Sequence, residues 1–128
     1  MKKLLILAYL LCFAYYLCDA QTQAQSKDER LQSLKIAYIT KELNLTAEEA
    51  KQFWPVYNKY IEELKKARHD HSNDEIAFEE EVVNIKKRYR PDFKTILKDD
   101  DRVNKTFTME KSFRDFLRKE LQQRQKKP

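Results

Sequence analysis

Apolar side chains recur along this chain with the spacing of one face of an α-helix. Four such runs follow one another after residue 27, and three of them come directly after a sequence typical of a helix start. In each start sequence a hydroxyl residue precedes a glutamate by three positions, beginning at Ser26, Thr46 and Ser72. The pattern predicts helices from near residues 27, 47 and 73, and a fourth helix that Asp99 or Asp100 caps and that ends near Gln123.

The second and third predicted helices each carry a broad apolar face with a proline on the opposite side. The face of the second helix covers roughly 160° and contains Phe53, Trp54 and Tyr57, with Pro55 almost opposite. In the third helix Pro91 lies opposite a similar stripe. A proline ring removes one backbone hydrogen bond and bends the helix away from itself, so both helices are predicted to be kinked with a concave aromatic face. Alternatively, Pro91 ends one helix and another begins there.

The apolar faces are wider than the core stripe of a simple helical bundle. This width indicates more apolar surface than a small single domain buries easily. A homodimer or a surface that binds other proteins would use the excess. Alternatively, each helix packs against two neighbours within the same molecule.

The first residues are typical of an export signal. Lys2 and Lys3 precede an apolar run from Leu4 to Leu17, and small residues precede a cleavage site near Ala20. The run is shorter than the roughly 20 residues that a membrane span needs, although a retained N-terminal anchor stays open as the alternative. The chain is therefore predicted to be exported, and the predicted organisation is a signal peptide (1–20), a short flexible segment (21–27), a single helical domain (28–124) and a basic tail (125–128).

The composition of the chain excludes or disfavours several classes of protein. The chain has no glycine, which excludes glycine-rich phosphate-binding loops and disfavours the tight turns of a sheet protein. Both cysteines lie in the predicted signal, so no disulfide or thiol nucleophile is expected after export. The net charge is +5, but acids gather where helices are predicted to begin and bases where they end. This arrangement complements the helix dipole and is favoured over nucleic-acid binding.

The sequence contains no recognisable arrangement of catalytic residues. No nucleophile, base and orienting acid occur at a familiar spacing, so neither an enzyme nor a cofactor is predicted. The chain has two histidines, His69 and His71, which lie near Asp74 in a predicted turn. These three residue types suit Zn²⁺ or Ni²⁺, but side chains two positions apart diverge on a helix, so one ion would need an irregular turn. A solvated polar turn is favoured over a metal site.

The segment from Leu43 to Tyr57 carries a recognisable motif. It contains Leu-Asn-Leu-Thr-x-Glu-Glu-Ala followed by Phe-Trp-Pro-x-Tyr. The chain resembles, over most of residues 28–124, the Spy/CpxP-like periplasmic proteins with their Leu-Thr-x-x-Gln motif, and especially the Bacteroidetes-type members described as sensors of an extracytoplasmic-function sigma factor. The motif residues are Leu45, Thr46 and Glu49, with Glu49 in place of the family's glutamine. Where the family has a second, degenerate copy, residues 96–103 lack both the threonine and the glutamine.

The resemblance implies an all-α fold with a long antiparallel helical hairpin in a curved, cradle-like homodimer. It further implies a location in the periplasm and binding of unfolded envelope proteins without ATP. The alternatives are a periplasmic sensor or accessory regulator of a sigma-factor system, whose partner is a membrane-bound stress-signalling protein, and a heavy-metal sensor. Neither nucleic-acid binding nor stable membrane insertion is expected. The residues expected to contact clients or partners are Phe53, Trp54, Tyr57, Tyr60, Arg88, Arg90, Phe113 and Arg114.

Overall fold

The computed structural model describes residues 26–126. The predicted signal peptide with its cleavage site, most of the predicted segment 21–27 and the last two residues of the predicted tail lie outside the described residues. Within the described part the regular structure is entirely helical, which confirms the predicted all-α class. The helices are α1 (26–42), α2 (Ala47–Asp70), α3 (Glu75–Leu97), α4 (Asp100–Thr106) and α5 (Met109–Lys126).

One of the three predicted helix starts is confirmed. The Thr46 hydroxyl accepts a hydrogen bond from the backbone N–H of Glu49 at 3.2 Å, and the Glu49 carboxylate accepts one from the N–H of Thr46 at 3.0 Å. The prediction that Ser72 caps α3 is wrong, because Asp74, two residues later, is the cap and α3 begins at Glu75. The start predicted near residue 27 stays a prediction, since Ser26 is the first described residue and is already helical.

The predicted fourth helix is divided into α4 and α5. Asp99 caps α4 as predicted, since its carboxylate accepts from the N–H of Arg102 at 2.7 Å. However, α4 ends at Thr106, and α5 begins at Met109 and continues past Gln123. At the break, the Thr108 hydroxyl donates to the carbonyl of Lys105 at 2.9 Å. Threonine hydroxyls compete in this way with the hydrogen bonds of a continuous helix.

Both internal prolines are accommodated within continuous helices. Helix α2 runs through Pro55 and α3 runs through Pro91, so the alternative that Pro91 ends a helix is wrong. Each ring deprives the carbonyl four residues earlier of its partner. Those carbonyls belong to Lys51 and Lys87, which are exposed, as are both prolines. Water can therefore satisfy the carbonyls, and the predicted curvature stays a prediction.

Helices α2 and α3 form an antiparallel hairpin. Arg68 near the end of α2 pairs with Glu75 at the start of α3 at 2.7 Å. At the opposite end of the hairpin, the ring of Phe53 lies 5.6 Å from that of Phe93. A short turn at residues 71–74 joins the two helices, so the predicted hairpin is confirmed.

The chain divides into two compact units, one ending at Tyr38 and the other beginning at Ile39, which is inside the domain predicted for residues 28–124. The second unit has a mainly aromatic core. Phe93 is fully buried, and its ring centroid lies 5.6 Å from that of Phe53, 5.8 Å from Tyr60 and 5.8 Å from Phe107. The tilted and edge-to-face arrangements of these rings are the favourable ones. Large side chains buried elsewhere in this unit are Ile39, Leu43, Ile85, Leu97, Val103 and Met109.

Candidate binding groove

The motif residues Thr46 and Glu49 have a structural role. Besides capping α2, Glu49 accepts hydrogen bonds through both carboxylate oxygens from Arg102 on α4, at 2.9 and 2.7 Å. Hydrogen bonding to Arg102 and to the backbone of Thr46 lowers the pKa of Glu49 from 4.5 to about 2. The third motif residue, Leu45, is half-buried and follows directly after the turn that ends α1.

Arg102 also serves as a C-terminal cap for two helices. Its guanidinium donates to the carbonyls of Leu43 at 2.9 Å and Asn44 at 3.3 Å, which follow α1, and to that of Leu97 at 3.0 Å, which ends α3. Helix C-termini leave carbonyls without partners and carry partial negative charge, so a cation is favourable there. The Glu49–Arg102 ion pair therefore joins the start of α2 to the ends of α1 and α3.

The turns at Arg102 would normally use glycine. Asn44 and Lys98 have φ angles of 49° and 58°, in the left-handed region where a side chain costs free energy. The N–H of Asn44 donates to the carbonyl of Lys41 at 3.1 Å, and that of Leu45 donates to Thr40 at 3.0 Å. This is the Schellman pattern of a helix end. Arg102 thus stabilises a turn that the glycine-free chain builds with asparagine.

Four of the predicted client-contact residues are core residues. Phe53, Tyr57, Tyr60 and Phe113 are at most 5% exposed, so the prediction that they present a binding surface is corrected. Burial first, and then Glu110, raises the pKa of Tyr57 well above its usual range and that of Tyr60 to about 12. The sequence pattern identified their apolar face correctly, but the packing of α2 against α3 and α5 covers it.

The other four residues that were predicted to contact clients lie in different parts of the structure. Trp54 is half-buried, with its ring edge-to-face against Phe53 at 5.3 Å. Arg88 is exposed and pairs with Glu63 at 2.6 Å and, more weakly, with Glu81 at 3.5 Å. Arg90 is also exposed. Of the eight predicted residues, Arg114 and the buried Tyr60 line the groove described below.

An open groove of about 590 Å³ lies between α2, the first half of α3, and the junction of α4 with α5. Its floor is apolar, and its rim is basic. The floor side chains are half-buried, which leaves one side of each available to a partner, and they are Ile61, Leu64, Phe78, Val82 and Phe107. This volume lies in the range of roughly 300–1,000 Å³ that is typical of ligand sites.

The charge of the groove is strongly asymmetric. Five basic side chains line it, namely Lys65, Arg68, Lys86, Lys111 and Arg114, against one acid, Glu110. Arg68 pairs with Glu75 and stacks on the Phe78 ring, with its guanidinium carbon 3.6 Å from the centroid. The other four basic groups form no ion pair within residues 26–126. The Glu110 carboxylate accepts a hydrogen bond from the Tyr57 hydroxyl at 2.7 Å. The groove therefore combines apolar contact area with excess positive charge.

Sequence reasoning did not single out the groove floor. Leu64 and Phe78 lie within the predicted apolar faces rather than at their edges, so their position on the helix does not distinguish them from core residues. Which part of a face stays open depends on where the neighbouring helices end, and the pattern does not contain that.

The candidate metal residues do not converge. His69 is almost fully exposed and contacts the carboxylate of the adjacent Asp70 at 3.4 Å. His71 is the C-cap of α2, and the Asp74 carboxylate accepts from the N–H of Ala77. Within the part of the chain that the structure describes, no three histidine, cysteine or acidic side chains are grouped as metal ligands would be.

Between residues 26 and 126, no helix has both the length and the apolar character needed to cross a membrane. Comparison of the chain with protein-family models, with curated proteins and with solved structures finds no match.

Proposed function

We propose that this protein is a Spy/CpxP-like envelope-stress protein that binds unfolded or partly folded proteins without ATP, in the groove between α2, α3 and α5. The observation that carries the proposal is the combination of five half-buried apolar floor residues with four basic side chains that lack ion pairs within residues 26–126. The resemblance of residues 43–57 to that family is a second, independent support.

The groove suits such binding on physical grounds. Half-buried apolar side chains gain roughly 25 cal/mol for each Å² that a partner removes from water. The basic rim attracts acidic segments over a Debye length of about 8 Å at physiological salt and speeds their encounter. Both contributions are independent of a particular sequence, as the binding of many clients requires.

The test is the aggregation of a chemically denatured reporter protein diluted into buffer with or without the purified protein, without nucleotide, followed by light scattering. Suppression at equimolar amounts or below, weakened by added salt, is the expected result. The double variant Lys111→Glu/Arg114→Glu should suppress aggregation less than the wild type. A matched control, Lys119→Glu/Lys126→Glu, makes the same change of charge on α5 outside the groove and should behave as the wild type.

The second candidate is a sensor or accessory regulator of an extracytoplasmic-function sigma factor. It is favoured by the match of residues 43–57 to the family members described in that role. Absence of suppression even at excess protein would contradict client binding. The regulatory function would then be tested by crosslinking through Lys65 and Lys111 in the envelope, where one membrane-bound signalling protein should be the dominant product.

A further inference from the structure

We infer that the occupant of the groove is an amphipathic α-helix whose apolar stripe is flanked by acidic side chains. The inference rests on the proposed function and specifies the class of segment that the groove accepts. It is carried by three features: the lack of free backbone groups along the α2 and α3 walls, the spacing of the floor residues, and the sign of the rim charge.

The α2 and α3 walls cannot satisfy the backbone of an extended segment, because their N–H and C=O groups are engaged along the helices where they line the groove. The α5 wall includes the first turn of that helix at Glu110 and Lys111, where a helix leaves N–H groups unpaired. The buried Thr106 hydroxyl donates to the carbonyl of Arg102 at 2.9 Å. An extended peptide would therefore place unpaired amide groups on an apolar surface, at a cost of about 1–3 kcal/mol each by mutational measures. A helix keeps these bonds internal.

The floor has helical spacing on two sides. Ile61 and Leu64 are three residues apart on α2, and Phe78 and Val82 are four apart on α3. Side chains at these separations form a ridge along each helix. The groove between two such ridges accepts the side chains of a third helix at positions i, i+3, i+4 and i+7, which is the common helix-in-groove mode.

The rim selects the charge of the occupant. Lys65 and Lys86 lie on α2 and α3, whereas Lys111 and Arg114 lie on α5, so basic groups stand on both sides of the floor. None of these four forms an ion pair inside the described range 26–126. Glutamates or aspartates beside the apolar stripe of a bound helix would meet them, whereas lysines there would be repelled.

The experiment uses three fluorescein-labelled peptides of about 18 residues, long enough to form a helix. The first has leucines three and four positions apart with glutamates beside them and alanine elsewhere. The second replaces two central alanines by proline, and the third replaces the glutamates by lysines. Anisotropy gives the dissociation constants with the purified protein. The first peptide should bind at least about tenfold more tightly than either of the others, and its circular dichroism should become more helical on binding.

The same binding is measured with protein variants. Lys111→Glu/Arg114→Glu should weaken binding of the glutamate peptide about tenfold, and Lys119→Glu/Lys126→Glu should leave it unchanged.

Equal affinity for the helical and the proline-containing peptide overturns the inference. The reporter assay then separates the two proposals: if aggregation is still suppressed, client binding stands without the preference for helices, and if it is not, both fail. The wild-type protein could instead form a dimer that binds no peptide and that Lys111→Glu/Arg114→Glu converts to a monomer. That result would show that a second copy of the chain fills the groove, and it would also overturn the inference.

Discussion

The guanidinium of Arg102 on α4 donates to both carboxylate oxygens of Glu49 on α2, at 2.9 and 2.7 Å, across a sequence separation of 53 residues. The same guanidinium donates to carbonyls at the ends of α1 and α3. One side chain therefore connects the start of α2 with the ends of two other helices. Because both partners are mostly buried, with side chains 25% and 20% exposed, this pair is worth more than an ordinary surface ion pair.

Replacing Arg102 by alanine should lower the free energy of unfolding by about 2 kcal/mol, since it leaves a carboxylate and three carbonyls without their donor. Urea denaturation followed by circular dichroism measures the change as a lower midpoint. Arg88→Ala is the matched control, because Arg88 pairs with Glu63 on the exposed surface. The loss of stability in Arg88→Ala should be much smaller than in the Arg102 variant. Equal losses for the two variants would contradict the role assigned to Arg102.

The pH dependence of stability should reflect the protonation of the Glu49 carboxylate. Its pKa is about 2 in the folded chain and 4.5 as the ordinary value, so the unfolded chain binds the proton more readily. The resulting stability is fully present above about pH 5 and is lost as the pH falls from 4.5 towards 2. Urea midpoints measured across this range should fall less steeply for Glu49→Gln than for the wild type. Parallel curves for the two proteins would show that the Glu49 pKa is not depressed.

The aromatic core should control stability more than any exposed apolar residue. Phe93→Ala removes a fully buried ring that contacts four others, at an expected cost of about 3–5 kcal/mol. Because that loss approaches the whole stability of a small domain, Phe93→Leu serves as the milder variant and should still lower the melting temperature. Ile76→Ala, at a side chain that is 73% exposed, should change stability by no more than about 0.5 kcal/mol.

Tyrosine ionisation should accompany alkaline unfolding. Burial raises the pKa values of Tyr60 and Tyr89 from 10.0 to about 12, with Glu110 and Glu63 respectively as further causes. The contribution of these groups to stability is complete below pH 10 and is lost as the pH rises towards 12. Ultraviolet absorbance should therefore show phenolate formation at the same pH as the loss of helical circular dichroism. Ionisation of all tyrosines near pH 10 in a still helical protein would contradict their burial.

Pro55→Ala tests the predicted curvature. The substitution restores a hydrogen bond to the Lys51 carbonyl, so helicity should be kept and stability should rise by up to about 3 kcal/mol. If Pro55 bends α2, straightening the helix should also change client binding or oligomer size. Light scattering and size-exclusion chromatography measure both, and identical behaviour of variant and wild type would leave the proline without the proposed role.

Several features were determined by the sequence itself, because they depend on neighbours along the chain. The helical class follows from apolar spacing, the start of α2 from Thr46 and Glu49, and the hairpin from a polar turn between two long apolar runs. The wrong prediction for the start of α3 also has a local cause. Ser72 and Asp74 are both good caps two residues apart, and the choice between them depends on how the preceding turn closes.

The tertiary structure alone decided which apolar residues are exposed. Phe53 and Phe78 lie on similar stripes, yet one is buried under Phe93 and the other borders the groove, because neighbouring helices cover a face along only part of its length. The Glu49–Arg102 pair was equally invisible in the pattern, since it joins positions that are distant along the chain. Periodicity defines a face, whereas contact between faces depends on where each helix ends and what packs beside it.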